Sequence, residues 1–78
     1  MIALNARPWA EVFPAYCAMF DALGAKEVRR RTGASLSAVY FWRSDEKEPR
    51  GLSLAVVGRV VEDWSVSTSR NARLARAP

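Results

Sequence analysis

The chain predicts an all-α domain, a small bundle of four to five helices. Three observations carry that expectation. Apolar residues recur three and four apart through most of its length, the spacing that puts them on one helix face. Each such run ends at a glycine, a proline or a short polar stretch. One pair of runs, Glu27 to Trp42, reads as a helix, a tight glycine-containing turn and a second short helix.

In chain order, residues 1–7 form a loose lead-in, and Pro8 suits the first turn of a helix, where its missing N–H is no loss. Trp9, Val12 and Phe13 follow at helical spacing. Pro14 predicts a break or kink, because inside a helix it removes one hydrogen bond. Tyr16, Met19, Phe20 and Leu23 make an i, i+3, i+4, i+7 stripe that Gly24 closes. Residues 25–32 are the next helix and residues 36–44 the one after. Residues 45–51 (Asp-Glu-Lys-Glu-Pro-Arg-Gly) read as a polar loop. Ser53 is placed to cap a further segment in which Leu54, Val57, Val61 and Trp64 repeat at helical spacing. Residues 54–61 are rich in β-branched side chains around Gly58, so the alternative there is a short hairpin, the wing of a winged helix-turn-helix. Trp64 extends the helical pattern and favours helix. From residue 65 to 78 a basic, mobile tail is expected, giving one domain over 1–64.

The stretch Glu27-Val28-x-x-x-Thr32-Gly33-Ala34-Ser35-x-Ser37-x-Val39-Tyr40-x-Trp42 is the strongest signal. Val28 and Thr32 lie one turn apart on a shared face. Gly33 can take the positive φ that ends a helix cheaply. Ser35 is then placed to accept from the free N–H groups opening the next helix. Val39 and Trp42 anchor that second helix to a core and leave Leu36, Ser37, Tyr40, Phe41 and Arg43 to point elsewhere. This is a helix-turn-helix over 25–44, whose second helix can enter the DNA major groove.

Composition narrows the chemistry. There is no histidine, so the commonest general base and metal ligand is missing. A lone Cys17 rules out an internal disulfide or a cysteine cage for zinc, and is read as a buried, reduced core thiol. No enzyme activity, cofactor or metal is expected, and Asp45, Glu46 and Glu48 read as a solvated loop. No apolar run approaches the length of a membrane span and the N-terminus lacks a secretory layout, so a cytoplasmic protein with no membrane partner is expected. The net charge is +4, and its excess is clustered: Lys26, Arg29, Arg30, Arg31, Arg43, Lys47 and Arg50 surround the motif, and Arg70, Arg73 and Arg76 follow in the tail. Clustered positive charge suits a polyanion.

The motif resembles the lambda repressor and Cro superfamily of DNA-binding domains over roughly residues 14–64. It is similar to the phage cII-type activators in the run Gly33, Ser37, Val39, Trp42, and more weakly to the excisionase-type winged helices of mobile elements. The chain departs from the repressor pattern twice. Arg29 stands where a small residue is usual, so its stem must run out to solvent or meet a carboxylate. Ala25 stands where a glutamine often holds a phosphate, with Lys26 the nearest substitute.

The resemblance places base reading on Leu36, Ser37, Tyr40 and Phe41, with Ser35 and Ser44 near phosphates. From side-chain chemistry, Ser37 can exchange hydrogen bonds with a base edge, whereas Leu36 and Phe41 offer apolar contact, best suited to thymine methyls. Phe41 is equally suited to a dimer contact. Tyr40 can reach a phosphate with its hydroxyl. Arg43 is the first candidate for a charged phosphate contact, with Lys26, Lys47 and Arg50 behind it. Trp42 is expected in the core, and Trp9, Phe13, Phe20 and Trp64 in core or dimer packing.

The expected function is sequence-specific binding of double-stranded DNA as a homodimeric regulator, a repressor or an activator touching RNA polymerase, from a phage or mobile element. Two alternatives stand beside it. One is a protein-interaction module, such as an antirepressor or host-system inhibitor, supported by the apolar Leu36, Tyr40 and Phe41. The other is an excisionase-like architectural DNA binder, which needs the hairpin at 54–61.

Overall fold

The computed structural model describes the backbone over residues 7–76, and side chains through residue 70. Among the described residues there are four helices and no strand: α1 (Trp9–Leu23), α2 (Ala25–Thr32), α3 (Leu36–Arg43) and α4 (Leu52–Arg76). Of the lead-in expected over residues 1–7, residues 1–6 lie outside the described residues.

α1 is the spine. It packs on α4, α2 and α3, while α2 also packs on α3 and α4. The core takes Trp9, Val12, Tyr16 and Met19 from α1, Val28 from α2, Val39 and Trp42 from α3, and Val57 and Val61 from α4. The α1 stripe is therefore extended by one turn toward the N-terminus, with Phe20 and Leu23 only partly covered. Every buried core position falls on the face that helical spacing predicts.

Three sequence expectations change. Pro14 does not break α1, which runs unbroken from Trp9 to Leu23. Its missing N–H leaves the carbonyl four residues back, at Ala10, without its helical donor; both residues are exposed, so water can serve that group. Ser53 is not a cap: α4 starts one residue earlier, after Gly51 at φ +55°, with the Ala55 N–H bonded to the Gly51 carbonyl. The segment 65–76, expected as a loose tail, continues α4 as helix, which totals 25 residues. No glycine or proline intervenes after Gly58 to stop it before Pro78.

The hairpin alternative fails at 54–61, which is helix throughout. Gly58 costs that helix about 1 kcal/mol relative to alanine. Buried Val57 and Val61 on either side of it return more through their burial in the core. Arg7 pairs with Glu62 at 3.2 Å, so the start of α1 lies beside the middle of α4. Beyond that point Val66, Ser67, Thr68, Ser69 and Arg70 are all exposed.

Candidate nucleic-acid interface

The turn between α2 and α3 forms as its residues dictate. Gly33 ends α2 at φ +75°, with its N–H on the Arg29 carbonyl at 2.8 Å. Thr32 donates its hydroxyl to the Val28 carbonyl at 2.9 Å and accepts from the Ala34 N–H at 3.3 Å. Ser35 opens α3 in extended conformation, its Oγ accepting from the Ala38 N–H at 3.1 Å. Three residues thus reverse the chain with their polar groups answered locally.

α3 is held from behind. Val39 and Trp42 are buried, and the buried Tyr16 hydroxyl of α1 donates to the Val39 carbonyl at 2.8 Å. Trp42 meets the Tyr16 ring edge-on at 6.3 Å. Burial is the main cause that pushes the Tyr16 hydroxyl pKa well above its ordinary value, Cys17 adding to it and Arg43 opposing it. The phenol therefore stays protonated and remains a donor to α3.

The outward face carries Leu36 (39% exposed), Ser37 and Tyr40 (54% exposed). These three share an open surface, as the sequence places them. Phe41 is half-buried, with the Lys47 ammonium 4.8 Å from its ring centroid. The Phe41 carbonyl also accepts from the Glu46 and Lys47 N–H groups, at 3.1 and 3.4 Å. Phe41 is thus occupied in seating the loop after α3. Ser44 donates its hydroxyl to the same carbonyl at 3.1 Å, which engages its proton in its own helix end. Ser35 accepts in its cap and keeps its own proton to give.

No family model, curated protein or solved structure matches this chain.

Its charges are arranged differently from their order in the sequence. Of Arg29, Arg30 and Arg31, the last two both turn back to Glu27, Arg31 at 2.8 Å. Hydrogen bonds from Arg30, then Arg31, hold the Glu27 carboxyl down at about 2. Arg29 is exposed and, among the described residues, pairs with no carboxylate, so the stem runs to solvent. Lys26, Lys47 and Arg50 are exposed as well.

Arg43 is not free. Its Nε and Nη2 donate to Oδ1 and Oδ2 of Asp21, each at 3.2 Å, and its guanidinium carbon lies 5.9 Å from the Phe20 ring centroid. Asp21 has no signal in the sequence as a partner, since it sits 22 positions away on α1. Asp45 is likewise specified by tertiary contact: it takes φ +62° and accepts from the Trp9 indole N–H at 3.2 Å. Asp tolerates that left-handed conformation better than most residues. Cys17 is half-buried rather than buried, and loss of water is the main cause that raises its thiol pKa.

Among the described residues, no helix is long and apolar enough to cross a membrane.

Proposed function

We propose that the chain is a double-stranded DNA-binding transcriptional regulator, acting in the cytoplasm as a homodimer that inserts α3 into successive major grooves. The observation that carries this is the pose of α3. Its Val39–Trp42 face is buried and tied to α1, while Leu36, Ser37 and Tyr40 stand outward, and Lys26 and Arg29 of the preceding α2 are exposed as well. A helix presented this way fits a groove about 12 Å wide. Two copies related by a two-fold axis would read half-sites about one helical turn apart. Blocking polymerase is the simplest output, and activation by contact with RNA polymerase uses the same docking. An origin in a phage or mobile element, with action next to its own gene, completes this reading.

A second reading draws on one feature of the same face. Leu36 and Tyr40 are large, exposed and poor at reading base edges, which suits a protein-interaction module such as an antirepressor. The architectural excisionase reading needed a wing at 54–61, where the chain is helix.

The deciding experiment is fluorescence anisotropy with the duplex upstream of the chain's own gene and a scrambled duplex, at low and near-physiological salt. Preference for the upstream duplex that survives the higher salt supports the regulator. Salt-fragile binding equal on both duplexes removes sequence reading. Absence of binding to either at low salt favours the interaction module, because phosphate contact must strengthen as salt falls.

A further inference from the structure

The outward side chains of α3 are supported unequally. Leu36 and Ser37, in its first turn, make no side-chain hydrogen bond or ring contact among the described residues. Tyr40 and Arg43, further along, both rest on the last turn of α1. The Phe20 ring meets Tyr40 edge-on at 5.7 Å and lies beneath the Arg43 guanidinium. Asp21 takes the Nε–H and one Nη2–H of Arg43 on its two oxygens. A guanidinium carries five N–H donors in a rigid fork. This pairing occupies one edge and leaves the other edge, both Nη1 hydrogens and the second Nη2 hydrogen, open. Asp21 is exposed and Arg43 only half-covered, so the pair is no core tie.

We propose that Asp21 is a positioning residue for backbone recognition: it fixes Arg43 so that the open edge of the guanidinium clamps a DNA phosphate at the C-terminal end of α3. The proposal rests on the DNA-binding reading above. Phosphate is the ligand because base edges are reached from the N-terminal turn of a recognition helix, whereas Arg43 is the last residue of α3. The open edge matches phosphate in bidentate geometry. Holding the long side chain in place beforehand removes rotamer entropy that binding would otherwise have to overcome.

The sign of the effect makes the proposal testable. A carboxylate beside DNA repels it, so plain electrostatics has Asp21→Asn strengthening binding. Positioning has it weakening binding. The affinity of wild type, Asp21→Asn, Arg43→Ala and the double variant would be measured by anisotropy on the upstream and scrambled duplexes, with thermal unfolding as the folding control. Expected are a loss of about threefold to tenfold for Asp21→Asn, alike on both duplexes; no further loss when it is added to Arg43→Ala; and an unfolding midpoint near wild type, as an exposed pair contributes little. Unchanged or tighter binding by Asp21→Asn, with wild type still binding, overturns the proposal and leaves the DNA reading intact. An equal loss in the Arg43→Ala background also overturns it, since Asp21 would then act by another route. If wild type binds neither duplex, the DNA reading itself fails and takes this role of Asp21 with it.

Discussion

Replacing Tyr16 by phenylalanine isolates the tie between the spine helix and the outward-facing helix. The ring is fully buried, 5.4 Å from Trp9 and 6.3 Å from Trp42 between centroids. Phenylalanine keeps that ring and opens no cavity, so only the 2.8 Å hydrogen bond to the Val39 carbonyl is lost. A neutral hydrogen bond contributes about 1 kcal/mol net, and the carbonyl left without its donor raises the cost to about 1–2 kcal/mol. For a domain this small, that lowers the thermal midpoint by roughly 4–16 °C. The assay is thermal and urea unfolding followed by circular dichroism, with a lower urea midpoint and an unchanged slope.

The pH dependence gives a second check on the same bond. The folded Tyr16 pKa lies above the unfolded value of 10.0. Its contribution is therefore complete below about pH 10 and is lost as pH rises beyond it. The gap between wild type and Tyr16→Phe should close in alkaline solution. An unchanged midpoint at neutral pH would refute the tie. A loss of about 3–5 kcal/mol, the size of a truncated aromatic, would show that ring packing and not the hydroxyl was disturbed.

Four further outcomes are expected. Ser35→Ala removes the α3 cap and should cost about 1 kcal/mol by urea unfolding, with no effect if the Ala38 N–H is served otherwise. Glu27 titrates at about 2 against 4.5 unfolded, so its pairing with Arg30 and Arg31 stabilises above pH 4.5 and is lost as pH falls toward 2. Unfolding midpoints of Glu27→Gln should lie slightly below wild type at neutral pH and converge with it in strong acid. Arg43→Ala should weaken binding to every duplex alike and lower the salt slope by about one, read from anisotropy across a salt series. Leu36→Ala and Ser37→Ala should alter preference between duplexes more than total affinity, as measured by competition binding.

The legibility of the fold follows from the range of the forces that set it. Val28, Val39, Trp42, Val57 and Val61 are buried where periodicity places them, and Gly33 and Ser35 shape the turn by their own conformational and hydrogen-bonding preferences. Pro14 was misleading because its cost depends on whether the freed carbonyl reaches water, which the outer face of α1 allows. The segment 65–76 carries no strong apolar stripe, so its continuation of α4 had no local signal beyond the lack of a breaker.

The outward set of Leu36, Ser37 and Tyr40 was readable because it is the complement of the buried face. The charges around it were not. Consecutive helix residues point in different directions, so Arg29, Arg30 and Arg31 do not act as one block, but the sequence leaves Arg30 and Arg31 open between solvent and DNA; both return to Glu27. Both are local pairs, and only rotamer geometry decides that one carboxylate holds two guanidinium groups. The sequence leaves Phe41 open between groove and dimer contact and gives no sign that Lys47 of the following loop lies over its ring.

Sequence alone determined the helical class, the turn and the inner face of each helix, because those depend on residues within about one helical turn of each other. Tertiary structure decided which outward groups are free: Asp21 reaches Arg43, Tyr16 reaches Val39 and Trp9 reaches Asp45 across 22, 23 and 36 positions. Such pairs follow from how helices dock, and docking is set by the shape of the whole core rather than by any residue's neighbours in the chain.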